Sequence, residues 1–355
     1  MALPRVSVLM SVYNDERHVR ETIDSVLAQS FVDFEFLILD DGSTDGTASL
    51  LDSYIDPRIV RIQNATNIGL TRSLNRGLEE ARGEYVARID GDDIMEPGRL
   101  AAQVAYLDAH PEIDVLGTWF RCFDEQGMLV GEWEIAPNPM VIAWLMGWHC
   151  AIGHPTVLMR REAILALGGY DPARLYAQDY DLWTRVIMAG SKVSVLPEQA
   201  TRLRILPGNI SSAKKGQQRQ CAIDIAHRYA EWRLDTPVAK EHIAAIFALF
   251  TAGEMNAETR LVSALSLLRR IQRRWERECD PVSARLIRRL ASDKLMGLAL
   301  ANSYNRPALS CALLADIVRN DPVQILRGQT WKQIARLTVA PRRGRAQWAQ
   351  GGSMP

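Results

Sequence analysis

The chain has 355 residues, of which 47% are apolar and 24% are charged. This is the composition of a globular protein long enough for about two domains, and it excludes intrinsic disorder, collagen and a disulfide scaffold. The net charge is zero, but 22 basic and 12 acidic residues lie from Gly216 onward, so residues 1–215 carry −10. The acidic first part favours metal binding, and the basic second part favours an anionic surface or partner.

Cysteine usage and hydropathy indicate a cytoplasmic protein. The five cysteines are far apart and form no C-x-x-C pair, which favours reduced thiols over a zinc ribbon. The N-terminal segment lacks a signal-peptide pattern, and Val141–Ile152 and Ile243–Phe250 are shorter than the about 20 residues of a membrane span. We therefore expect a cytoplasmic protein that attaches, if at all, peripherally to the inner face of the membrane.

The first hundred residues alternate between short apolar runs and helical patterns. The predicted strands are Val6–Val12, Phe34–Leu39, Ile59–Gln63 and Tyr85–Ile89, and the predicted helices are Glu16–Gln29, Thr47–Tyr54 and Leu70–Ala81. This alternation predicts a mostly parallel sheet with helices on both faces. After a further helix beyond Pro97, Val115–Phe123 and Met128–Trp133 flank Gly127 as a hairpin would, which makes the sheet mixed.

Beyond Gly216 the pattern is helical, and Pro207–Gly216 is the strongest boundary signal in the chain. One segment repeats apolar residues at helical spacing, namely Leu261, Ala264, Leu265, Leu268, Ile271 and Trp275. Its basic residues are expected largely on the other side, namely Arg269, Arg270, Arg273, Arg274 and Arg277. The segment is therefore an amphipathic basic helix that either packs on the first domain or docks on a membrane surface or partner.

Polar residues follow three of the predicted strands where each strand ends. Tyr13 and Asn14 follow the first strand, Asp40–Asp45 the second and Asp90–Asp93 the fourth. Ligands of open α/β sheets bind outside the carboxyl ends of the strands. Carboxylates crowded together repel, and a divalent cation relieves the repulsion, with oxygen-only ligands suiting Mg²⁺ or Mn²⁺. A metal site is therefore predicted at this edge of the sheet.

Several other phosphate-handling folds fit these clusters less well. Asp40-Asp41 after an apolar strand is typical of a P-loop NTPase, but the sequence has no G-x-x-x-x-G-K-[ST] and no G-x-G-x-x-G. A haloacid-dehalogenase-like phosphatase would place D-x-D after the first strand, where Tyr13-Asn14 stand. Asp40–Asp45 would also suit a helix cap and turn.

Five segments, in order, resemble the family 2 glycosyltransferases of GT-A fold. They are VSVLMSVYN, FLILDDGSTDGT, NIGLTRSLNRGLEEARGEYVARIDGDD, GHPTVLMRR and AQDYDLW. The resemblance covers about residues 4–212. It implies an α/β GT-A (nucleotide-diphospho-sugar transferase-like) domain at 1–212 with a mixed sheet flanked by helices. An α-helical C-terminal domain is expected at 213–340 and a disordered tail at 341–355.

On the donor side, the resemblance implies that Ser11 and Tyr13 contact the nucleotide base and that Asp41 accepts a hydrogen bond from its ring N–H. Arg72 would contact the nucleotide. Asp90 would face the ribose or a metal-bound water.

The D-x-D motif, Asp90-Gly91-Asp92, implies a metal ligand at Asp92. Asp93 would assist there or cap the following helix, and Asp40 would brace its own loop. A histidine that serves the metal or diphosphate in related sequences is replaced here by Leu206.

On the acceptor side, the resemblance implies that Asp179 is the general base. His154, Trp148 and Gln178 are the acceptor-side candidates, with Gln178 standing where the family often has Glu. For His154 and Trp148 the alternative is an ordinary structural role, and for Asp179 it is a helix N-cap.

These roles imply an inverting glycosyltransferase that moves a sugar from a nucleotide-diphosphate donor to a saccharide or glycolipid acceptor. A single displacement assisted by Mg²⁺ or Mn²⁺ would serve polysaccharide synthesis at the cell envelope. The basic C-terminal helices would contact the membrane peripherally, and no nucleic-acid partner is expected. The alternatives are a nucleotidyltransferase with a similar sheet and a non-catalytic nucleotide-sugar-binding protein.

Overall fold

The computed structural model describes residues 3–206, 215–251, 258–302 and 307–321. The chain divides into two compact units, Met1–Ala143 with Cys150–Cys221 and Trp144–His149 with Ala222–Pro355. The predicted boundary at 212/213 and the predicted tail at 341–355 lie outside the described residues. Among the described helices, none combines the length and the apolar character that a membrane crossing requires.

The first unit contains a nine-stranded sheet and most of the first seven helices. The strands are β1 (Val6–Val12), β2 (Phe34–Asp40), β3 (Ile59–Gln63), β4 (Tyr85–Arg88), β5 (Ile94–Met95), β6 (Ile113–Phe123), β7 (Leu129–Trp133), β8 (Leu158–Arg160) and β9 (Lys192–Arg204). The helices are α1 (Val19–Leu27), α2 (Thr47–Asp52), α3 (Leu70–Glu80), α4 (Arg99–Ala109), α5 (Pro139–Leu145), α6 (Arg161–Ala166) and α7 (Gln178–Met188).

The sheet is mixed, as predicted. Its strand order is β3-β2-β1-β4-β8-β6-β9-β5, and β7 pairs with β6. The first four strands in this order are parallel, β8 runs antiparallel to both its neighbours, and β6 pairs with β9 in parallel. The hairpin predicted around Gly127 is present as β6 and β7. The fold expectation of an α/β sheet flanked by helices is confirmed.

The register of the three central parallel strands places the candidate residues at one edge. Val12 at the end of β1 pairs with Asp40 of β2, and Leu9 pairs with Arg88 at the end of β4. The residues of β2 are buried throughout, so both of its faces are covered. The polar segments that follow β1, β2 and β4 therefore leave the sheet side by side, as the alternating pattern predicted.

The second unit is helical. Its helices lie in α8 (Lys215–Leu234), which begins in the first unit, α9 (Lys240–Thr251), α10 (Glu258–Glu278), α11 (Pro281–Asn302) and α12 (Pro307–Asn320). The apolar residues predicted to share one face of α10 are buried, namely Ala264, Leu265, Leu268, Ile271 and Trp275, whereas the side chain of Leu261 lies outside the description.

The prediction that Arg269 lies with the other basic residues, opposite the apolar side of α10, is wrong. Its guanidinium is buried and forms an ion pair with Asp316 of α12. The pair supplies the countercharge and hydrogen bonds that a buried guanidinium requires. Arg274 is exposed, but its Nε lies 3.0 Å from Oε1 of Glu278, one helical turn away. The basic face is thus narrower and less charged than the sequence suggested.

Gly42 allows two loops to meet beyond the end of β2. Its φ of +77° lies in the left-handed region, and a Cβ at this position would lie 2.6 Å from the carbonyl carbon of Thr66 and 2.8 Å from the backbone N of Asn67. Only glycine combines this conformation with so close a backbone approach. The turn after β2 therefore determines where the segment before α3 lies.

We expect Gly42→Ala to lower the free energy of unfolding by about 2 kcal/mol or more, because left-handed strain adds to a clash with rigid backbone. Gly127→Ala is the matched control, since Gly127 has the same φ of +77° and no described residue lies within 4 Å of its Cβ position. Denaturant unfolding of both variants measures the difference. Equal losses would show that the approach to Thr66 contributes nothing to stability.

Candidate active site

The D-x-D turn follows β4 and is held through its backbone from two sides. The buried hydroxyl of Thr22 on α1 donates to the carbonyl of Gly91 at 2.6 Å. Arg204, at the end of β9, donates from Nε to the carbonyl of Asp92 at 3.1 Å. Because these bonds use main-chain carbonyls, the carboxylates of Asp90 and Asp92 are left for other partners.

Asp92 lies among other carboxylates. Burial, together with the charges of Asp90 and Asp15, raises the pKa of Asp92 to about 7. Sequence analysis missed Asp15, whose Oδ2 lies 2.7 Å from where a Cβ on Gly91 would stand. Its only sequence signal is its place directly after the Tyr13-Asn14 pair. The predicted crowding of negative charge at this edge is therefore present.

The donor atoms at this turn suit a hard divalent cation shared with a substrate. In the described part of the chain, no three His, Cys, Asp or Glu side chains converge as a ready-made metal cage. Mg²⁺ is commonly held by one or two carboxylates, with phosphate oxygens and water completing the shell. Asp92 with Asp90 fits that arrangement, since both offer only oxygen and repel each other. Metal binding remains a prediction.

Asp41 braces the segment before α3. Its buried carboxylate accepts hydrogen bonds from Asn64 Nδ2 at 2.7 Å and from the backbone N–H groups of Ile68 at 3.0 Å and Gly69 at 2.9 Å. Asp40 had been predicted to brace its own loop, and its Oδ1 accepts a 2.9 Å hydrogen bond from the backbone N–H of Ser43. Among the described residues, Oδ2 of Asp41 accepts a hydrogen bond only from Gly69, so a lone pair is left for the predicted base N–H.

The remaining donor-side candidates offer surface to a ligand. Tyr13 is 47% exposed directly after β1, and Ser11 is half-buried on that strand. Arg72 is exposed on α3 and makes no hydrogen bond or ion pair within the described residues. Their contact with a nucleotide remains a prediction, and their exposure is the condition that such contact requires.

Asp179 lies in the first turn of α7, and the preceding Ala177 has a left-handed φ of 56°. Burial raises the pKa of Asp179, and the negative charge of Asp90 adds to the rise, whereas the backbone N–H of Tyr180 and the thiol of Cys150 lower it. The Cys150 Sγ lies 3.7 Å from Oδ2 of Asp179. Asp179 is therefore within electrostatic range of the D-x-D turn.

His154 has a partner inside the first unit. Its Nε2 lies 2.8 Å from the hydroxyl of Tyr170, and burial together with the charge of Arg88 lowers the pKa of His154 to about 3. The imidazole is therefore neutral at physiological pH. Nothing in the sequence pattern had pointed to Tyr170. The acceptor-side role of His154 remains a prediction.

The structure places Trp148 in the interior of the second unit. Its ring has no exposed surface and lies 4.8 Å from that of Trp144 and 4.9 Å from that of Phe250. A side chain with no exposed surface cannot stack on a sugar without rearrangement. The structure therefore favours the alternative in which Trp148 has an ordinary structural role in the core. Gln178 and Leu206 are half-buried, and positions 207–211 of the Leu206 motif lie outside the description.

Comparison with known proteins identifies the family to which the chain belongs. Residues 7–168 match the family model described as Glycosyl transferase family 2. The chain is 39% identical over 207 residues to EpsE of Bacillus subtilis (strain 168), a glycosyltransferase by name, covering 57% of this chain and 73% of EpsE. The protein belongs to glycosyl transferase family 2. The resemblance seen in its motifs is thus confirmed, and it is a glycosyltransferase enzyme.

Further similarities agree with this family 2 glycosyltransferase assignment. AmsE of Erwinia amylovora, named for amylovoran biosynthesis, is 30% identical over 205 residues, covering 56% of this chain and 75% of AmsE. The crystal structure of S. aureus TarS 1–349 in complex with UDP-GlcNAc superposes with a TM-score of 0.56 at 20% identity, covering 93% of this chain and 92% of TarS 1–349. The latter likeness supports the GT-A fold.

The neutral state of His154 makes the folded protein sensitive to acid. Since the pKa of His154 is about 3 when folded and about 6.5 when unfolded, its contribution to stability is present above about pH 6.5 and is lost as the pH falls toward 3. We expect His154→Gln, which keeps a neutral hydrogen-bonding group, to reduce the stability lost between pH 7 and pH 4 by on the order of 2 kcal/mol.

Denaturant unfolding at the two pH values measures this change. His110→Gln is the control, because the His110 side chain is 43% exposed beside Glu112. Identical pH dependence in His154→Gln and the unmodified protein would contradict the buried neutral imidazole.

Proposed function

We propose that this family 2 glycosyltransferase moves a sugar from a nucleotide-diphosphate donor to a hydroxyl of a saccharide or glycolipid, with inversion, in cell-envelope polysaccharide synthesis. The observation that carries the proposal is the strand register that brings the D-x-D turn after β4 and the Asp41 segment after β2 to one edge of the sheet. Asp179 is near enough for the charge of Asp90 to contribute to its raised pKa. AmsE, named for amylovoran biosynthesis, supports a polysaccharide product. Donor-side and acceptor-side carboxylates thus serve one reaction.

In this proposal Asp179 acts on the acceptor. Its carboxylate takes the hydroxyl proton while the acceptor oxygen bonds to the anomeric carbon of the donor sugar. The bond between that carbon and the diphosphate oxygen breaks, and the nucleoside diphosphate leaves with the electron pair. Attack from the face opposite the leaving group inverts the configuration. The raised pKa suits Asp179 to the task, because a carboxylate that holds a proton more tightly is a stronger base.

The donor side of the proposal uses the remaining groups of the same sheet edge. Asp92 with Asp90 would hold Mg²⁺ or Mn²⁺, whose chemistry is to neutralise negative charge on the leaving diphosphate. The exposed ring of Tyr13 would stack on the base, and the free lone pair of Asp41 would accept its ring N–H. The exposed guanidinium of Arg72, which has no partner within the described part of the chain, would contact the nucleotide.

Peripheral membrane contact would use the exposed face of α10. Arg270, Arg273 and Arg277 are exposed there. Arg274 has its charge partly neutralised by Glu278, and Arg269 is buried, so neither adds fully to attraction for anionic lipid. About 1 kcal/mol per free basic residue near an anionic surface would make such contact weak and salt-sensitive.

Donor turnover with a panel of nucleotide sugars and MnCl₂ tests the proposed function. A glycosyltransferase releases nucleoside diphosphate slowly by transfer to water. A nucleotidyltransferase would make or consume nucleoside triphosphate instead, and a binding protein would gain heat stability without turnover. Either of these two outcomes would contradict the proposal.

We expect Asp179→Asn to lower the rate of nucleoside diphosphate release by about 10²–10⁴-fold while donor affinity stays unchanged, because only the proton acceptor is lost. Calorimetric titration of the donor measures the affinity. Asp171→Asn is the control, since Asp171 is acidic and partly exposed in the loop before α7.

The same base determines the pH profile of that reaction. Asp179 must be ionised to accept a proton, so the rate is expected to fall as the pH drops through its raised pKa. The acid limb of the profile should therefore lie above the value of about 3.9 of an unperturbed aspartate. A wild-type rate in Asp179→Asn would show that another group is the base.

We expect Asp92→Ala to abolish the increase in donor affinity that MnCl₂ produces, because the predicted cation would lose its principal protein ligand. Calorimetric titrations with and without MnCl₂ measure the increase. Asp33→Asn is the control, because Asp33 is exposed directly before β2, at the opposite edge of the sheet. An undiminished MnCl₂ effect in Asp92→Ala would place the cation elsewhere.

A further inference from the structure

Arg88 lies beneath the D-x-D turn. It is the last residue of β4, and Asp90 follows two residues later. The guanidinium has no exposed surface and forms an ion pair through Nη2 with the Asp90 carboxylate, whose side chain is 35% exposed. One oxygen of Asp90 is therefore held from inside the protein, while the carboxylate still reaches the surface.

Burying Arg88 in this way opposes folding. Its Nε and Nη1 have no hydrogen-bond partner among the described residues, and a buried donor without a partner loses its hydration without compensation. A second buried guanidinium, Arg99, lies in the same region. Burial lowers the pKa of Arg99 to about 9; the charge of Asp93 opposes this fall, and the charge of Arg88 adds to it. Within the described residues, the Arg88 guanidinium thus keeps two buried donors without partners and lies near a second positive charge.

Arg99, in the same region, differs from Arg88 in that all three of its side-chain nitrogens donate hydrogen bonds within the protein. Its Nε donates to Gln103 at 2.9 Å, its Nη1 to the carbonyl of Pro155 at 2.7 Å and its Nη2 to the carbonyl of Val157 at 3.1 Å. Nη2 also donates to the carbonyl of Arg88 at 2.9 Å. Since that bond uses only the backbone of Arg88, the side chain of Arg88 is not needed for it.

We propose that Arg88 is a positioning residue of the donor site, which holds the Asp90 carboxylate in the orientation that meets the donor nucleotide. This inference rests on the proposed function, in which Asp90 contacts the ribose or a metal-bound water. Residues that serve binding at the expense of folding show opposite effects on the two properties when they are replaced. Replacing Arg88 should therefore weaken donor binding without lowering stability, whereas replacing Arg99 should lower stability.

The variants Arg88→Met, Arg88→Lys, Arg99→Met and Asp90→Asn test this difference by thermal unfolding and by calorimetric titration with UDP, GDP, CDP and dTDP in MnCl₂. We expect Arg88→Met to retain or raise the Tm, because Asp90 can be hydrated and two buried donors without partners among the described residues are removed. Its affinity for the diphosphate that the unmodified protein binds should fall about ten-fold or more, as for one lost charge-assisted contact.

Arg88→Lys, which keeps the charge, should recover part of that affinity. Arg99→Met should lower the Tm by about 5 °C or more, because it leaves several buried carbonyls without their donor. In the Asp90→Asn background, Arg88→Met should cause no further loss of affinity, since it acts through Asp90.

Two results would overturn the inference while leaving the proposed function intact. One is an unchanged diphosphate affinity in Arg88→Met when Asp90→Asn weakens binding. The other is a fall in Tm for Arg88→Met as large as that for Arg99→Met, which would assign Arg88 to folding. If the unmodified protein binds none of the four diphosphates, the proposed function itself fails and this inference fails with it.

Discussion

Parallel pairing of β1 between β2 and β4 is the constraint on which the rest of the structure depends. Parallel strands end at the same edge, so whatever follows each strand is brought together. Here the segments after β2 and β4 are rich in aspartate. The fold therefore concentrates negative charge at one place, and the surrounding contacts exist largely to make that concentration tolerable.

Different groups stabilise different carboxylates at this edge. Backbone N–H groups hold Asp41, and the guanidinium of Arg88 holds Asp90. Arg204 donates its backbone N–H to the carboxylate of the buried Asp93. Burial and the charges of Asp90 and Asp15 raise the pKa of Asp92 to about 7. Negative charge is thus incompletely compensated at the turn, and a shared divalent cation would relieve it.

The helix α7 adds a carboxylate of different character. At a helix N-terminus, backbone N–H groups and the helix dipole stabilise negative charge, whereas burial and Asp90 oppose it. The balance leaves Asp179 with a raised pKa in the first unit, supported by Cys150 from a separate segment of the chain. The left-handed Ala177 directly before the helix is a conformation that residues other than glycine rarely adopt. A carboxylate tuned in this way is suited to accept a proton.

Local periodicity was sufficient to predict most elements of the first unit. Val6–Val12 and Ile59–Gln63 coincide with β1 and β3 because short segments rich in β-branched residues between turn residues leave few alternatives. The helix expected from Glu16 begins instead at Val19, since the backbone N–H of Val19 bonds back to Asp15 and a turn fills the first positions. The residue at which a helix begins or ends depends on such individual hydrogen bonds, which the spacing of apolar residues does not encode.

By itself, the sequence determined the alternating α/β pattern, the acidic strand ends and the family motifs, because these depend on residues near one another in the chain or at fixed spacing. Tertiary structure alone decided that Arg88 pairs with Asp90 inside the protein, that Tyr170 meets His154, and that Trp148 and Arg269 are buried. Arg88 and Asp90 are near neighbours in the chain, but their enclosure, like the other outcomes, requires segments distant in sequence to pack around them. Burial and charge are properties of that packing, and no local pattern carries them.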